Sequence, residues 1–255
     1  MIVAPVILLA LFGLAVGSFL NVCIYRLPRG ESLAFPASHC PSCRRTLAWF
    51  ENVPVVGWLA LRGRCRTCGE AISPMYPIVE VTTGAVFVAG YWFYGWMPLL
   101  PVRLLFACAM IVLFAIDLHH HILPNVITVP GAVAGLAFSL VLPPGWLASL
   151  IGVLAGAGVL FAIAETYYRL RGIEGLGMGD VKMLAMIGAF LGWKLMLVTL
   201  VLASLSGSIV GVAVVLSGRG GMKFALPFGT FLAVGALVAA VAGEPIVAWY
   251  AGFYR

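Results

Sequence analysis

The chain has 255 residues, of which 63% are hydrophobic and 9% charged. Soluble globular domains carry roughly a quarter charged residues, so this composition excludes a protein wetted over its whole surface. The net charge of +6 would suit a nucleic-acid partner. The basic residues instead cluster between apolar stretches, and no basic face interleaved with aromatics is present, so the charge reads as membrane topology and no nucleic-acid partner is expected.

A membrane span needs about 20 apolar residues. The first apolar run, from Ile2 to Tyr25, has no basic segment before it and no small-residue cleavage site after it, so it reads as a retained helix. The one extended polar segment follows, from Arg26 to Ser73. Apolar runs then cover Tyr76–Tyr94, Leu99–Ile116, Val126–Leu142, Trp146–Tyr167, Val181–Leu191, Leu195–Leu216 and Ala225–Tyr250. The expected fold is therefore an all-α polytopic membrane protein of about eight spans, with a small cytoplasmic domain between the first and second.

Pro98 and Pro101, Pro124-Asn125, Pro143-Pro144-Gly145 and Gly218 with Gly220-Gly221 stop the helices. Five tryptophans (Trp92, Trp96, Trp146, Trp193, Trp249) lie near segment ends, as in an aromatic belt. Placing the arginine-rich segment inside puts the N-terminus outside. Twelve of the fifteen Lys/Arg then fall on the cytoplasmic side, with Arg103, Lys194 and Arg255 as exceptions. Val181–Leu191 is too short to cross alone and is expected to be buried by its neighbours. The glycine pairs Gly131/Gly135, Gly152/Gly156 and Gly207/Gly211 have the spacing of close helix contacts.

Chemistry concentrates in two places. Cys40-Pro-Ser-Cys43 and Cys65-Arg-Thr-Cys68 are two CxxC knuckles 21 residues apart. Four thiolates so placed can close a tetrahedral Zn²⁺ site, and a structural metal would supply folding free energy to a domain with little core. Two redox disulfides are the other reading, disfavoured by a cytoplasmic location. Cys23 and Cys108 fall in spans and read as packing residues, and His39 is not needed as a further ligand.

Asp117, in AIDLHHHILPN, and Asp180, in GLGMGDVK, are the only aspartates. Both map to the cytoplasmic interface. Peptide hydrolysis by two carboxylates needs them close enough to share a proton and a water: one activates the water, and its protonated partner donates to the carbonyl oxygen or the leaving amine. Gly177 and Gly179 would let the backbone come close, with Asp180 as the N-cap of its helix. The alternative for Asp180 is capping alone; for Asp117 it is an interfacial acid beside Lys or His. His119, His120 and His121 point in different directions around a helix, so they read as water-facing and not as a metal site. Glu80 and Glu165, within spans, are expected to be buried acids that hydrogen-bond between helices, with assistance to the site as the alternative. Lys182 is a neighbour of Asp180 with no assigned catalytic role.

Several strings together resemble the type IV prepilin peptidase family: RGIEGLGMGDVK with the upstream Asp117, GSFLNVCIYRLP from Gly17, FPASHCPSC, CRTCG, ISPMYPIVEVTTG from Ile72, and LPFGTFLA from Leu226. The sequence departs at Asn125, Met75 and Thr230, where the family often has aspartate, arginine and proline. The resemblance implies a multi-pass enzyme of the bacterial inner membrane. It would cut the basic leader from prepilins or pseudopilins of type IV pilus or type II secretion systems, at the cytoplasmic face. N-methylation of the new N-terminus from S-adenosylmethionine would follow. It implies Asp117 and Asp180 as catalytic residues and Cys40, Cys43, Cys65 and Cys68 as zinc ligands. It leaves the methyl-donor residues unassigned. The corresponding division is a first helix (1–25), a four-cysteine domain (26–75) and a peptidase domain (76–255). A peptidase-only member, an ion-coupled transporter and a membrane thiol oxidoreductase are the competing readings. The expected partners are a prepilin-like substrate and membrane lipid.

Overall fold

The computed structural model describes residues 3–172, 177–217 and 226–253. Among them the structure is helical, with two isolated β-bridges and no strands. The helices are α1 (Val3–Arg26), α2 (Val56–Ala60), α3 (Met75–Tyr94), α4 (Leu99–His120), α5 (Asn125–Phe138), α6 (Trp146–Arg171), α7 (Met178–Leu216) and α8 (Phe228–Gly252). Five of these are long and apolar enough to cross a membrane: α1 with its following turn, α4, α6, α7 and α8. Helix α5 is apolar but has 14 residues, too few for a crossing of about 30 Å at 1.5 Å per residue. It ends at Phe138, four residues short of the expected run, because residues 139–142 close into turns. The Gly218–Gly221 stop lies outside the described residues.

Helix α7 runs through two expected spans. Its backbone breaks at Gly192, where φ is +75° and ψ 171°, a conformation open to glycine and costly for other residues. The break separates a short first piece from a second of span length. The first piece is buried almost completely from Asp180 to Gly192. That accounts for its uniform apolarity: a helix wrapped on all sides has no polar face to show.

The chain divides into two compact units, Met1–Val112 and Leu113–Arg255. In the first, α1 and α3 pack through small residues. A Cβ at Gly13 would lie 2.8 Å from Gly84 Cα, and one at Gly17 2.7 Å from Glu80 Cα. Asn21 Nδ2 donates to Tyr76 O at 3.0 Å across the same interface.

In the second unit, α5, α6 and α8 pack on α7. Gly152 meets the backbone of Gly188, and Gly156 that of Leu184, while Gly131 and Gly135 seat Met186 and Ala189. These are the close contacts expected of the spacing. Of the third pair, Gly207 meets the Phe231 ring at an ordinary 3.5 Å, while a Cβ at Gly211 would lie 3.1 Å from Leu226 Cδ1.

Candidate active site and metal centre

Asp117 lies in the last turn of α4, and its buried carboxylate is held by the start of α8. Thr230 N–H donates to Asp117 Oδ2 at 2.8 Å, and Gly229 N–H also reaches the carboxylate. The first N–H groups of a helix have no intrahelical acceptor and carry the positive end of its dipole, so they suit a carboxylate. No side chain could intervene there. A Cβ at Gly229 would sit 2.9 Å from Asp117 Oδ2 and 3.0 Å from Leu123 Cδ1. His121, exposed and with φ +53°, acts on Asp117 electrostatically.

Asp180 is also buried, but it is not the N-cap expected from the sequence. Helix α7 begins two residues earlier, with Gly177 as cap, so Asp180 is the third helical residue. From there its carboxylate reaches back to Gly177 N–H, the acidic half of a capping box. Asp117 lies close enough to act on Asp180 electrostatically.

One side chain touches both supports. A Cβ at Gly179 would lie 3.0 Å from Leu123 Cβ, and Leu123 also abuts Gly229. Leu123 therefore wedges between the start of α7, which carries Asp180, and the start of α8, which holds Asp117. Two residues on, Asn125 Oδ1 accepts from Lys182 Nζ at 2.9 Å. Asp180 is thus bracketed by Gly179 and Lys182, both braced by the segment around Pro124. Sequence reasoning gave no part to Leu123, Gly229 or the Thr230 amide. The Pro-Phe-Gly-Thr start of α8 was the available signal.

The three histidines are exposed, as expected. Glu80 is buried, accepting Val55 N–H at 2.7 Å with Ser18 and Asn21 beside it. Glu165 corrects its expectation: it is partly exposed and pairs with Arg169 one turn along its own helix at 2.7 Å.

The four cysteines converge. Their sulfurs all lie within 4.8 Å of one another, with Cys40–Cys68 at 3.8 Å and Cys43–Cys65 at 4.0 Å. A tetrahedral ion with bonds of about 2.3 Å to sulfur sets neighbouring sulfurs about 3.8 Å apart, so the group could hold such a metal.

The two knuckles repeat one hydrogen-bond pattern. Cys40 N–H donates to Arg45 O and Arg44 N–H to Cys40 O; Cys65 N–H donates to Glu70 O and Gly69 N–H to Cys65 O. Bridges His39–Thr46 and Arg64–Ala71 close each turn. The matching fourth position is left-handed in both, at Arg44 (φ +57°) and Gly69 (φ +72°). N–H groups of Cys68 and Thr67 pull the Cys65 thiol down to about 6. Against a Glu70 N–H, partial loss of solvation and the adjacent thiols push Cys68 up to about 12. Arg45 pairs with Glu51 through two bonds of 2.8 and 3.0 Å and also reaches the Cys65 sulfur, tying the cysteine cluster to the 49–52 turn.

Sequence profiles of known families match both units' helices: the Bacterial Peptidase A24 N-terminal domain over residues 11–94, and the Type IV leader peptidase family over residues 104–212. A Klebsiella pneumoniae protein named prepilin leader peptidase/N-methyltransferase is 46% identical over 204 residues, 77% of this chain and 89% of that protein. The chain belongs to the type IV leader peptidase family. Relatives of the same name include one from Aeromonas salmonicida, 37% identical over 95% of this chain and 92% of its own length. Another, from Myxococcus xanthus, is 43% identical over 85% of this chain and 65% of its own length. No solved structure matches. Asp117 and Asp180 both fall within the region matched to the leader peptidase family, and the four cysteines within the region matched to the N-terminal domain.

Proposed function

We propose that the chain is a membrane aspartic endopeptidase that removes the basic leader of a prepilin-like substrate and then N-methylates the new terminus. Asp117 and Asp180 are its catalytic carboxylates. The observation that carries the reading is two buried carboxylates on different helices within electrostatic reach, in a chain whose relatives bear that enzyme's name.

One aspartate takes a proton from water as it attacks the scissile carbonyl; the other gives a proton to the departing amine. Backbone N–H groups at the starts of α7 and α8 fix both carboxylates without side-chain freedom, which favours a preorganised pair.

The four sulfurs bind zinc as a structural site: all four positions of a tetrahedron are filled, leaving none for substrate. The groove beside α1 and α3 does not fit the methyl donor. The groove of about 870 Å³ in the first unit, lined by residues such as Leu14, Val81 and Val88, is almost wholly apolar. It offers nothing to an adenine or to the donor's amino and carboxyl groups, so no residue of this groove is assigned to the donor.

The peptidase sits in the bacterial inner membrane, the N-terminus outside and the aspartates at the cytoplasmic face, with the pieces of α7 either side of Gly192 counted separately to give about eight helices. The functional division follows as 1–25, 26–75 and 76–255.

Asp117→Asn and Asp180→Asn, each in membranes with a prepilin, test the site. Mass spectrometry should show no leader loss with either, and methylation of an already cleaved substrate should persist. Normal cleavage by either variant refutes the two-aspartate mechanism.

A further inference from the structure

The four-cysteine domain does not simply stand above the membrane. Tyr25, with Arg29 stacked 3.9 Å above its ring, and Tyr76, whose carbonyl accepts from Asn21, lie at the ends of α1 and α3 that adjoin the four-cysteine domain, the cytoplasmic ends in the topology proposed above. Tyrosine and arginine at span ends belong to the membrane–water interface. Below that level the domain reappears. Val55 N–H bonds to Glu80, and Ser18 lies beside the same carboxylate. Glu80 is four residues past Tyr76, about 6 Å deeper, and Ser18 is seven before Tyr25, about 10 Å deeper.

The chain at this tip is fixed in place. Val55 adopts φ +61°, a conformation that a β-branched residue holds only when its surroundings compel it. Pro54, Val55 and Val56 line one continuous groove with Ala10 and Leu14 of α1 and Val88 of α3. Beside it, Val56 and Leu59 sit three residues apart on α2, each 60% exposed, and Trp49 is 81% exposed. Arg62, Arg64 and Arg66 flank them, all exposed.

We propose that residues 53–59 are a re-entrant membrane contact: the domain dips into the cytoplasmic leaflet, Val56 and Leu59 lie among acyl chains, and the arginines hold anionic headgroups. Two observations select lipid as the occupant. The groove is shared with α1, a helix long and apolar enough to cross a membrane, and the flanking charge is positive, which attracts anionic lipid and repels a basic leader. The bond from Val55 to Glu80 satisfies the amide that such a dip would otherwise strand.

The test places the photoreactive residue benzoylphenylalanine at Val56, Leu59 or, as control, Glu70 in the full chain. The chain is reconstituted in phosphatidylglycerol/phosphatidylcholine nanodiscs. Retained metal content and leader cleavage report folding. Phospholipid adducts at positions 56 and 59 should exceed those at 70 several-fold and persist when prepilin is added. Leu59→Trp gives a second reading: brominated acyl chains should quench the fluorescence it adds to wild type. Adducts no greater than at Glu70, transfer of the adduct to prepilin or to a second copy of the chain, or an added tryptophan that brominated lipid leaves unquenched would each overturn the proposal.

Discussion

Gly229→Ala asks whether the start of α8 sets the position of Asp117. The new methyl would stand 2.9 Å from Asp117 Oδ2, 3.0 Å from its Cγ and 3.0 Å from Leu123 Cδ1. Carbon contacts are comfortable near 3.5 Å, so the carboxylate must retreat by about half an ångström. That stretches the 2.8 Å bond from Thr230 N–H. A hydrogen bond to a charged group contributes about 1.5–3 kcal/mol, and each 1.4 kcal/mol is about tenfold in rate. Leader cleavage should therefore fall about ten- to a hundredfold in kcat, with KM nearly unchanged, because the change touches the carboxylate and not the substrate. Single-turnover cleavage of a prepilin followed by mass spectrometry reads this directly. Gly158→Ala in α6 is the control, since a Cβ there meets nothing within 4 Å among the described residues. A Gly229→Ala enzyme as fast as the control would refute the claim that the amide cradle orders Asp117.

Leu123→Ala removes the wedge shared by Gly179 and Gly229. It should cost about 1–2 kcal/mol of stability at this half-buried site and lower kcat more than it raises KM. Leu123→Met should restore most of both, measured by denaturation and initial rates. Gly69→Ala meets no neighbour, so its cost is conformational alone, about 1–2 kcal/mol for a left-handed residue. Metal affinity measured with a competing chelator should weaken about tenfold.

Arg45, then the Ala48 N–H, holds Glu51 below the usual carboxylate range. Its folded value is the lower one, so its stabilisation is present above the ordinary carboxylate pKa and disappears as pH falls through the lowered value. Glu51→Gln should therefore be less stable than wild type at pH 7, and the two should converge in acid. A difference that stays constant with pH would rule out the pair as its source.

Much of this was legible in the residues. Apolar runs located the helices because lipid imposes both their length and their composition, and the CxxC spacing placed four sulfurs together because each knuckle is a local turn. What the sequence hid depended on contacts between distant segments. Asp180 read as an N-cap because acids favour that position, yet Gly177 took it and left Asp180 to cap from inside the helix. Glu165 read as buried because its segment is apolar, although its side chain leans onto Arg169. Leu123 carries no polar atom in its side chain, so only packing shows that it braces both aspartate supports. Val55 gives no hint in sequence of descending beside Glu80.

Gly192 makes one segment live in two solvents. Before it, α7 is surrounded by protein; after it, Leu197, Val201, Leu205 and Ile209 are turned outward. A thicker or thinner bilayer strains a helix that must match it, through tilt or local deformation. That strain reaches the second piece, while the first, which carries Asp180, lies against α5 and α6. The break at Gly192 thereby separates the helix piece that carries Asp180 from the piece whose length must match the membrane.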